Sequence, residues 1–241
     1  MMSEEVKTKS VLGIKIDDVS INEAIDVIFS WLKSNKKHYI VTPNPEFIMT
    51  AQNDPKFKEI LNKADLAIPD GSGLKISGKI TNTTTGTDLI EEIFKKGDKA
   101  ITIGFLGGSG GVAKKAAERL RKKYPGTKIL YAEDGPKVNF EGEEVSPALS
   151  NKYHKLRVDI VCVGFGQIKQ EKWISKNLDK LPVKIAIGVG GAFDYFSGKV
   201  KRAPLWIRNL GLEWLFRLAV QPWRIKRQSQ LVKYYFKVKR S

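Results

Sequence analysis

Cysteine and histidine are nearly absent from this sequence of 241 residues, which has one cysteine, Cys162, and two histidines, His38 and His154. A single cysteine cannot form an intramolecular disulfide, and such cysteine usage is typical of a reducing cytoplasm. The histidines lie in unrelated segments, without a cysteine cluster or a His-x-x-x-His pattern, so no zinc site is predicted. Cys162 lies between two valines in an apolar segment and is interpreted as a small core residue.

Two longer patterns are missing as well. No run of about 18 apolar residues occurs, and the first ten residues, MMSEEVKTKS, lack the apolar stretch of a signal peptide. We therefore expect the chain to stay on the cytoplasmic side of the membrane. Nowhere do two aspartates flank one residue, so the Asp-x-Asp signature with which many sugar transferases hold a metal and a diphosphate is missing. No metal site is predicted.

Acidic residues are scarce in the last part of the chain. The formal net charge is +16, and from Lys199 onward twelve basic residues are opposed only by Glu213, so +11 of it lies there. Such an excess predicts an anionic partner. Tryptophans and tyrosines between the basic residues allow nucleic-acid binding, insertion into an anionic membrane interface, or plain packing of a solvated helix. The tryptophan content and the amphipathic pitch favour the membrane over nucleic acid, while plain packing stays open for any single aromatic.

Short apolar strands alternate with amphipathic helices along the rest of the chain. HYIVT, AITIGFL and VDIVCVGFG are apolar on both faces, and segments with helical spacing follow them. This alternation predicts an α/β fold, a Rossmann-like, mostly parallel sheet with helices on both faces. We expect a strand at about 11–16 and a helix near 147–155. The predicted domains are an α/β core, residues 1–198, and a basic, amphipathic helical appendage, residues 199–241.

Five distinctive loops leave predicted strands at their carboxyl ends, where open sheets of this type bind ligands. We expect them to ring one cleft. They are TPNPE at 42–46, PDGSG at 69–73, GGSGG at 107–111, GFGQIKQEKW at 164–173 and GVGGAFD at 188–194.

The third loop fits a dinucleotide fingerprint. Gly108, Gly110 and Ala113 match G-x-G-x-x-G/A between a strand and a helix, and Glu133 and Asp134 follow about twenty residues on. A tight strand-to-helix turn explains the same glycines as well as a phosphate or ribose contact does. An NAD-dependent oxidoreductase or epimerase therefore stays an alternative function.

Asp70 is the carboxylate at the mouth of the second loop. It could reach into the cleft while the N–H groups of the glycine turn face a polar substrate. It could equally cap a helix that begins near Ser72, and the local pattern alone favours the cap.

Several segments together resemble, in order and spacing, the WecG/TagA/CpsF glycosyltransferases, glycosyltransferase family 26. The resemblance covers roughly residues 10–230, and its most specific part runs from Gly188 to Arg227. The segments are TPNPE, ADLAIPDGSGL, GTDL, RKKYPG, GFGQIKQEKWI, IGVGGAFDYFSGKVKRAPLWIRNLGLEWLFRL and QPWRIKR.

The resemblance implies an inverting transferase that moves a sugar from a UDP-sugar to a polyprenyl-diphosphate-linked sugar at the cytoplasmic face of the membrane. In members that make wall teichoic acid or enterobacterial common antigen, N-acetylmannosamine or its uronic acid passes to undecaprenyl-diphosphate-linked N-acetylglucosamine. The implied general base is Asp70, with Thr42 beside it. Implied substrate-binding residues are Asn44, Gln170, Arg217, Arg224 and Arg227. The cleft loops add Gly71, Ser72, Gly108 and Asp194 as further candidates for substrate contacts.

These implications change the balance at Asp70 from cap to base, because an inverting transfer needs one group to take the acceptor proton. They also explain why the Asp-x-Asp signature is missing, since arginines can neutralise a leaving diphosphate in place of a metal. We expect no cofactor, no metal and no nucleic-acid partner. The expected partners are the two substrates and an anionic membrane, with self-association possible, and the appendage is expected to close over the cleft.

Three departures from the family pattern border the expected cleft. Thr83 stands where members commonly carry an arginine, Ile168 stands where they carry a proline, and EDGPKVNF replaces an HHGYF-like stretch. The donor sugar and the acceptor therefore stay open. A non-catalytic membrane adaptor that uses only the basic tail is the remaining alternative.

Overall fold

The computed structural model of the protein describes residues 6–97, 100–148 and 152–240, except for the side chains of Arg224, Lys226, Arg227 and Gln228. The chain opens with an antiparallel hairpin of β1 (Thr8–Val11) and β2 (Ile14–Asp17). The predicted single strand at 11–16 is therefore wrong. Val11 pairs with Ile14 across a two-residue turn in which Leu12 and Gly13 both have positive φ, the turn geometry that suits a twisted hairpin.

A six-stranded parallel sheet forms the centre of the molecule, in the order β4-β3-β10-β9-β5-β6. Its strands are β3 (His38–Val41), β4 (Leu66–Ala67), β5 (Thr102–Gly107), β6 (Lys128–Glu133), β9 (Val158–Gly164) and β10 (Val183–Gly188). A small antiparallel pair, β7 (Lys137–Val138) and β8 (Glu144–Ser146), lies between β6 and β9 in the chain. All pairings within the central sheet are parallel, as predicted.

Helices cover both faces of this sheet. They are α1 (Ile21–Leu32), α2 (Pro45–Ala51), α3 (Pro55–Asn62), α4 (Gly86–Lys96), α5 (Val112–Lys123), α6 (Lys152–Lys155), α7 (Lys169–Asn177) and α8 (Ala192–Phe196). Two apolar clusters result, because successive side chains of a strand point to opposite faces. Val161 and Val163 of β9 join the cluster that contains Phe47 and Trp173, whereas Cys162 joins the other and is 1% exposed. The α/β fold and the core position of Cys162 are confirmed.

The helix expected near 147–155 is shorter than predicted. Residues 147 and 148 are not helical, residues 149–151 lie outside the described residues, and α6 covers only Lys152–Lys155. The preceding chain is occupied by β7 and β8, which pair across a turn where Gly142 has a φ of 75°. A left-handed glycine favours such a turn.

The chain after residue 198 forms α9 (Leu205–Asn209), α10 (Glu213–Val220), a 3₁₀ turn (Pro222–Arg224) and α11 (Ile225–Lys239). Helix α11 packs against α2 and the 3₁₀ helix Ser72–Ser77, and its Tyr234 is fully buried in the cluster that contains Phe47. The domain division at residue 198 stays a prediction. Within the described ranges, no helix is both long and apolar enough to cross a membrane.

Candidate active site

A cavity of about 510 Å³ lies at the carboxyl ends of β3, β4, β9 and β10. Four of the five predicted loops line it, together with residues 83 and 85–88 and residues of α9 and α10. The GGSGG loop after β5 is not part of its wall. The predicted cleft thus exists at the expected edge of the sheet, and the appendage supplies one side of it.

Asp70 lies on this wall, three residues beyond the end of β4. Backbone hydrogen bonds fix the turn around it: its own N–H donates to Pro43 O at 2.8 Å, and the N–H of Thr84 donates to Pro69 O at 2.8 Å. The 3₁₀ helix Ser72–Ser77 has Gly71 as its N-cap, without a side-chain capping hydrogen bond. The capping interpretation of Asp70 is therefore wrong, and its carboxyl group faces the cavity instead.

The surroundings of Asp70 favour its protonated form. Burial, together with the nearby charge of Glu213, raises the pKa of Asp70 to about 7, although the charge of Arg217 acts in the opposite direction. A carboxyl group with a pKa near neutrality is populated in both forms at neutral pH. It can therefore accept a proton as a general base and release it again.

Thr42 and Asn44 lie next to each other at the end of β3. The Oγ1 of Thr42 donates a long hydrogen bond of 3.5 Å to Gly188 O, which connects β3 to β10 beside the cavity. Asn44 is the N-cap of α2, and its Oδ1 accepts from Phe47 N–H at 3.0 Å. Both side chains line the cavity with Asp70, as predicted, while Asn44 also has a structural task.

Gln170 belongs to a buried hydrogen-bonded relay, in which its side chain connects Gly190 to Glu171. Its Oε1 accepts from Gly190 N–H at 3.0 Å, and its Nε2 donates to Glu171 Oε1 at 2.6 Å. The other Glu171 oxygen accepts from Ile168 N–H at 2.7 Å. Burial raises the pKa of Glu171 to about 7, although these hydrogen bonds act against that shift.

The backbone around this relay tolerates few substitutions. Ile168 has a φ of 74°, which is strained for a β-branched residue and which proline cannot adopt. A Cβ at Gly188 would lie 2.5 Å from Glu171 Oε1, so a side chain there would displace the relay. The loop after β9 therefore presents Gln170 to the cavity in a conformation that depends on Glu171.

Two predicted contacts lie away from the cavity wall. The N–H of Gly108 donates to Gly164 O at 3.0 Å, and the N–H of Gly111 donates to both carboxylate oxygens of Asp134 at 3.1 and 3.2 Å. The backbone of the glycine loop thus binds Asp134, the acidic residue that would have to bind the ribose of a dinucleotide. Asp194 is 3.7 Å from Lys199 Nζ in an ion pair. Of the other loop candidates, Gly71 and Ser72 line the cavity.

Of the three predicted arginines, Arg217 lines the cavity, with its guanidinium 5.0 Å from the centroid of the Tyr195 ring. Arg224 and Arg227 have side chains outside the described residues, so their role stays a prediction. Among the described residues, no group of three or more histidine, cysteine, aspartate or glutamate side chains could hold a metal ion.

The family model of the "Glycosyl transferase WecG/TagA/CpsF family" matches residues 9–241. This chain belongs to that family. The resemblance carried by the sequence motifs is thereby confirmed over nearly the whole chain, and the protein is a glycosyltransferase. The match favours this class over the oxidoreductase and the adaptor alternatives.

Individual WecG/TagA/CpsF relatives carry the name N-acetylglucosaminyldiphosphoundecaprenol N-acetyl-beta-D-mannosaminyltransferase. The chain is 35% identical to the protein of that name from Bacillus spizizenii (strain ATCC 23059 / NRRL B-14472 / W23), over 85% of this chain and 80% of the relative. It is 30% identical to the one from Bacillus subtilis (strain 168), over 95% and 90% of the two chains. For the protein from Staphylococcus aureus (strain MRSA252) the identity is 27%, over 95% and 91%.

Charged residues that sequence reasoning missed also stand in this WecG/TagA/CpsF site. Asp88 of α4 pairs with Arg202, and Arg202 also contacts Glu213 of α10. Arg208 of α9 lies 3.4 Å from Asp88 and lines the cavity. The only local signal was the Thr85-x-x-Asp88 spacing, which indicates a helix start. The arginine partners of Asp88 lie more than a hundred residues away, where no spacing rule applies.

Proposed function

We propose that this glycosyltransferase moves N-acetylmannosamine, or a related hexose derivative, from a UDP-sugar to a polyprenyl-diphosphate-linked N-acetylglucosamine-type acceptor, with inversion. The names of the curated relatives supply the acceptor class and the transferred sugar. The observation that carries the mechanism is the carboxyl group of Asp70, held without a side-chain hydrogen bond among the described residues in a cavity of substrate size. Cell-surface polysaccharide or teichoic acid synthesis is the process that such a product would serve.

In the proposed reaction, a hydroxyl oxygen of the acceptor attacks the anomeric carbon of the donor. Asp70 takes the hydroxyl proton as the new C–O bond forms. The bond between the anomeric carbon and the β-phosphate oxygen breaks, and UDP leaves with that electron pair. A single displacement inverts the configuration at the anomeric carbon, and Asp70 then loses its proton to water.

The departing UDP gains negative charge that fixed cations can stabilise. Arg217 is the described arginine best placed for this task, because it lines the cavity and its charge lowers the pKa of Asp70. Arg224 and Arg227 are proposed to assist. We also propose that the reaction requires neither a metal nor another cofactor. EDTA should therefore leave the rate unchanged. Loss of activity in EDTA that a divalent ion restores would contradict this part of the proposal.

A peripheral position on an anionic membrane is the proposed location, on its cytoplasmic face. Support comes from exposed aromatic residues of the appendage beside its basic ones: Trp206 is 65% exposed, Trp223 71% and Phe236 56%. Such a surface suits the interface where a lipid-linked acceptor resides. Away from membranes the same surface could be covered by self-association, which sedimentation with and without anionic vesicles would test.

The test of the transferase is UDP release from UDP-N-acetylmannosamine, UDP-N-acetylglucosamine and UDP-glucose, each with a lipid-diphosphate-linked N-acetylglucosamine acceptor. We expect release that depends on the acceptor with one donor, and its loss in Asp70→Asn. Release that ignores the acceptor would indicate hydrolysis instead of transfer. Equal release in Asp70→Asn would exclude Asp70 as the base.

A further inference from the structure

Arg202 makes an unusually complete set of contacts in the loop between α8 and α9. Its Nη1 and Nη2 donate to different oxygens of Asp88, each at 2.7 Å. The Nη2 group also donates to Thr85 Oγ1 at 3.1 Å, and Nε donates to Glu213 Oε1 at 3.3 Å. The side chain is only 16% exposed, so the guanidinium is held in a fixed plane by partners from two parts of the chain.

These partners belong to the two walls of the cavity. Thr85 is the N-cap of α4, and Asp88 lies in the first turn of that helix, so both are part of the α/β core. Glu213 is the first residue of α10, in the appendage. Because residues four apart share a helix face, fixing Glu213 also fixes the direction in which Arg217 points.

A second contact joins the same two walls next to the proposed base. Ser72 Oγ donates to Gly211 O at 2.8 Å, at the turn between α9 and α10. Gly211 has a φ of 72°, and a Cβ on it would lie 2.9 Å from Ser72. The loop that carries Asp70 and the turn before α10 therefore meet in direct contact.

Arg208 provides the contrast within the same cluster. Its Nη1 reaches Asp88 only at 3.4 Å, and its Nε has no hydrogen-bond partner among the described residues. Asp88 instead accepts two bonds of 2.7 Å from Arg202 and one of 2.7 Å from Thr85 Oγ1. Of the two arginines, Arg202 is therefore the one whose contacts define the position of α10.

We propose that Arg202 is a positioning residue for the transferase reaction: by clamping the first turn of α4 to the start of α10, it holds Glu213 and Arg217 beside Asp70. Its catalytic consequence rests on the proposed function, whereas the clamp itself does not. Loss of the clamp leaves Glu213 without its cation and frees α10 to shift, so that Arg217 no longer stands where the leaving group needs it.

The first test compares Arg202→Ala with Arg157→Ala, which removes the same side chain from an exposed position of the core. For Arg202→Ala we expect kcat to fall by about 10- to 100-fold, as for a misplaced catalytic group, with a smaller change in KM for the donor. Arg157→Ala should stay within about twofold of the wild type. A kcat for Arg202→Ala equal to that of the control would overturn the proposal.

The pH profile separates positioning from a general structural role. Arg202 lowers and Glu213 raises the pKa of Asp70, and the base acts only when it is deprotonated. The acidic limb of kcat/KM should therefore move to higher pH in Arg202→Ala and to lower pH in Glu213→Gln. Arg202→Lys keeps the charge but loses the two-pronged geometry, so it should lower kcat while leaving the limb near its wild-type position. Identical limbs in all variants would contradict the clamp.

Hydrogen–deuterium exchange tests the clamp without any assay of transfer. In Arg202→Ala the amides of α10 should exchange at least about tenfold faster than in the wild type, while those of α3, which packs against α2, α7 and β2, should not change. Unchanged exchange in α10 would overturn the clamp even if activity fell. If no donor gives UDP release in the wild type, the proposed function fails, and faster exchange in α10 would still support the clamp.

Discussion

The α/β core and the C-terminal appendage handle apolar surface in opposite ways. The core encloses its strands between two apolar clusters, and its cavity loops are fixed by backbone hydrogen bonds. In contrast, twelve of the sixteen large hydrophobic side chains that are exposed among the described residues lie at or after Leu205. Exposed apolar surface on this scale indicates a partner surface. In the proposed function, the core carries the base, while the appendage couples the reaction to the membrane where the lipid-linked acceptor is found.

Removing the appendage should produce the largest effect. A chain that ends at residue 198 keeps the sheet and Asp70 but loses Arg217 and the cavity wall formed by α9 and α10. We expect a folded domain with transfer activity near background, measured as acceptor-dependent UDP release, and an unchanged circular dichroism signature of the sheet. Because Tyr234 is buried against α2 and the 3₁₀ helix, its loss should also lower the melting temperature. Full activity in the truncated chain would contradict the division of labour.

Asp70→Asn should have the next largest effect, because it removes the base without removing volume. General base catalysis contributes about 10²- to 10⁴-fold, so we expect kcat to fall by that factor. The wild-type rate should rise with pH through about 7, where the buried carboxyl group ionises, and the residual rate of Asp70→Asn should lack this limb. Thr42→Val is an informative neighbour, since it alters the same wall but leaves the pH limb in place.

The sequence predicted the framework better than the charge network. Alternation of strands and helices was enough to predict the sheet and to place the cleft, because strand periodicity and the carboxyl-end rule are local or topological. For Asp70 the local pattern favoured a helix cap, the family resemblance favoured the base, and the structure excludes the cap because Gly71 is the N-cap of the 3₁₀ helix. Arg202 and Asp88 lie 114 residues apart, so their pairing had no local signal at all.

Other differences had signals that could have been used. Leu12 and Gly13 form a two-residue hairpin turn, and Gly13 was a local signal for it, because glycine adopts the positive φ that such turns need. Glu171 is fully buried, but in sequence it reads as an ordinary polar residue of an amphipathic helix. Its carboxylate accepts from the N–H of Ile168, whose positive φ spacing does not predict.

A smaller effect should come from Glu171, which is fully buried beside Gln170. Its pKa is raised in the folded chain, so the folded state binds more protons than the unfolded state between about pH 4 and 7, and stability falls as pH rises through this range. Glu171→Gln replaces an acceptor by a donor opposite Gln170, which should cost about 1–3 kcal/mol in the free energy of unfolding. The cost should be larger at pH 5 than at pH 8, as measured by urea denaturation.

The control for this variant is Glu118→Gln, an exposed acid on α5. It should leave both the stability and its dependence on pH unchanged. A loss of stability in Glu171→Gln that is the same at both pH values would mean that Glu171 is ionised throughout this range.

The smallest expected effect is on binding to membranes, and it tests whether the exposed apolar surface of the appendage is the membrane-facing surface. Trp223 is 71% exposed in the appendage, and Phe140 is 51% exposed in the core. Burying one large apolar side chain is worth about 1.5–3 kcal/mol, so Trp223→Ser should weaken binding to anionic vesicles by about tenfold. Phe140→Ser should leave binding unchanged, because Phe140 belongs to the core, where Lys172 Nζ lies 4.6 Å from the centroid of its ring. Equal losses from the two variants would mean that exposed aromatic surface anywhere on the molecule supports binding, and that the appendage is not a specific membrane-facing surface.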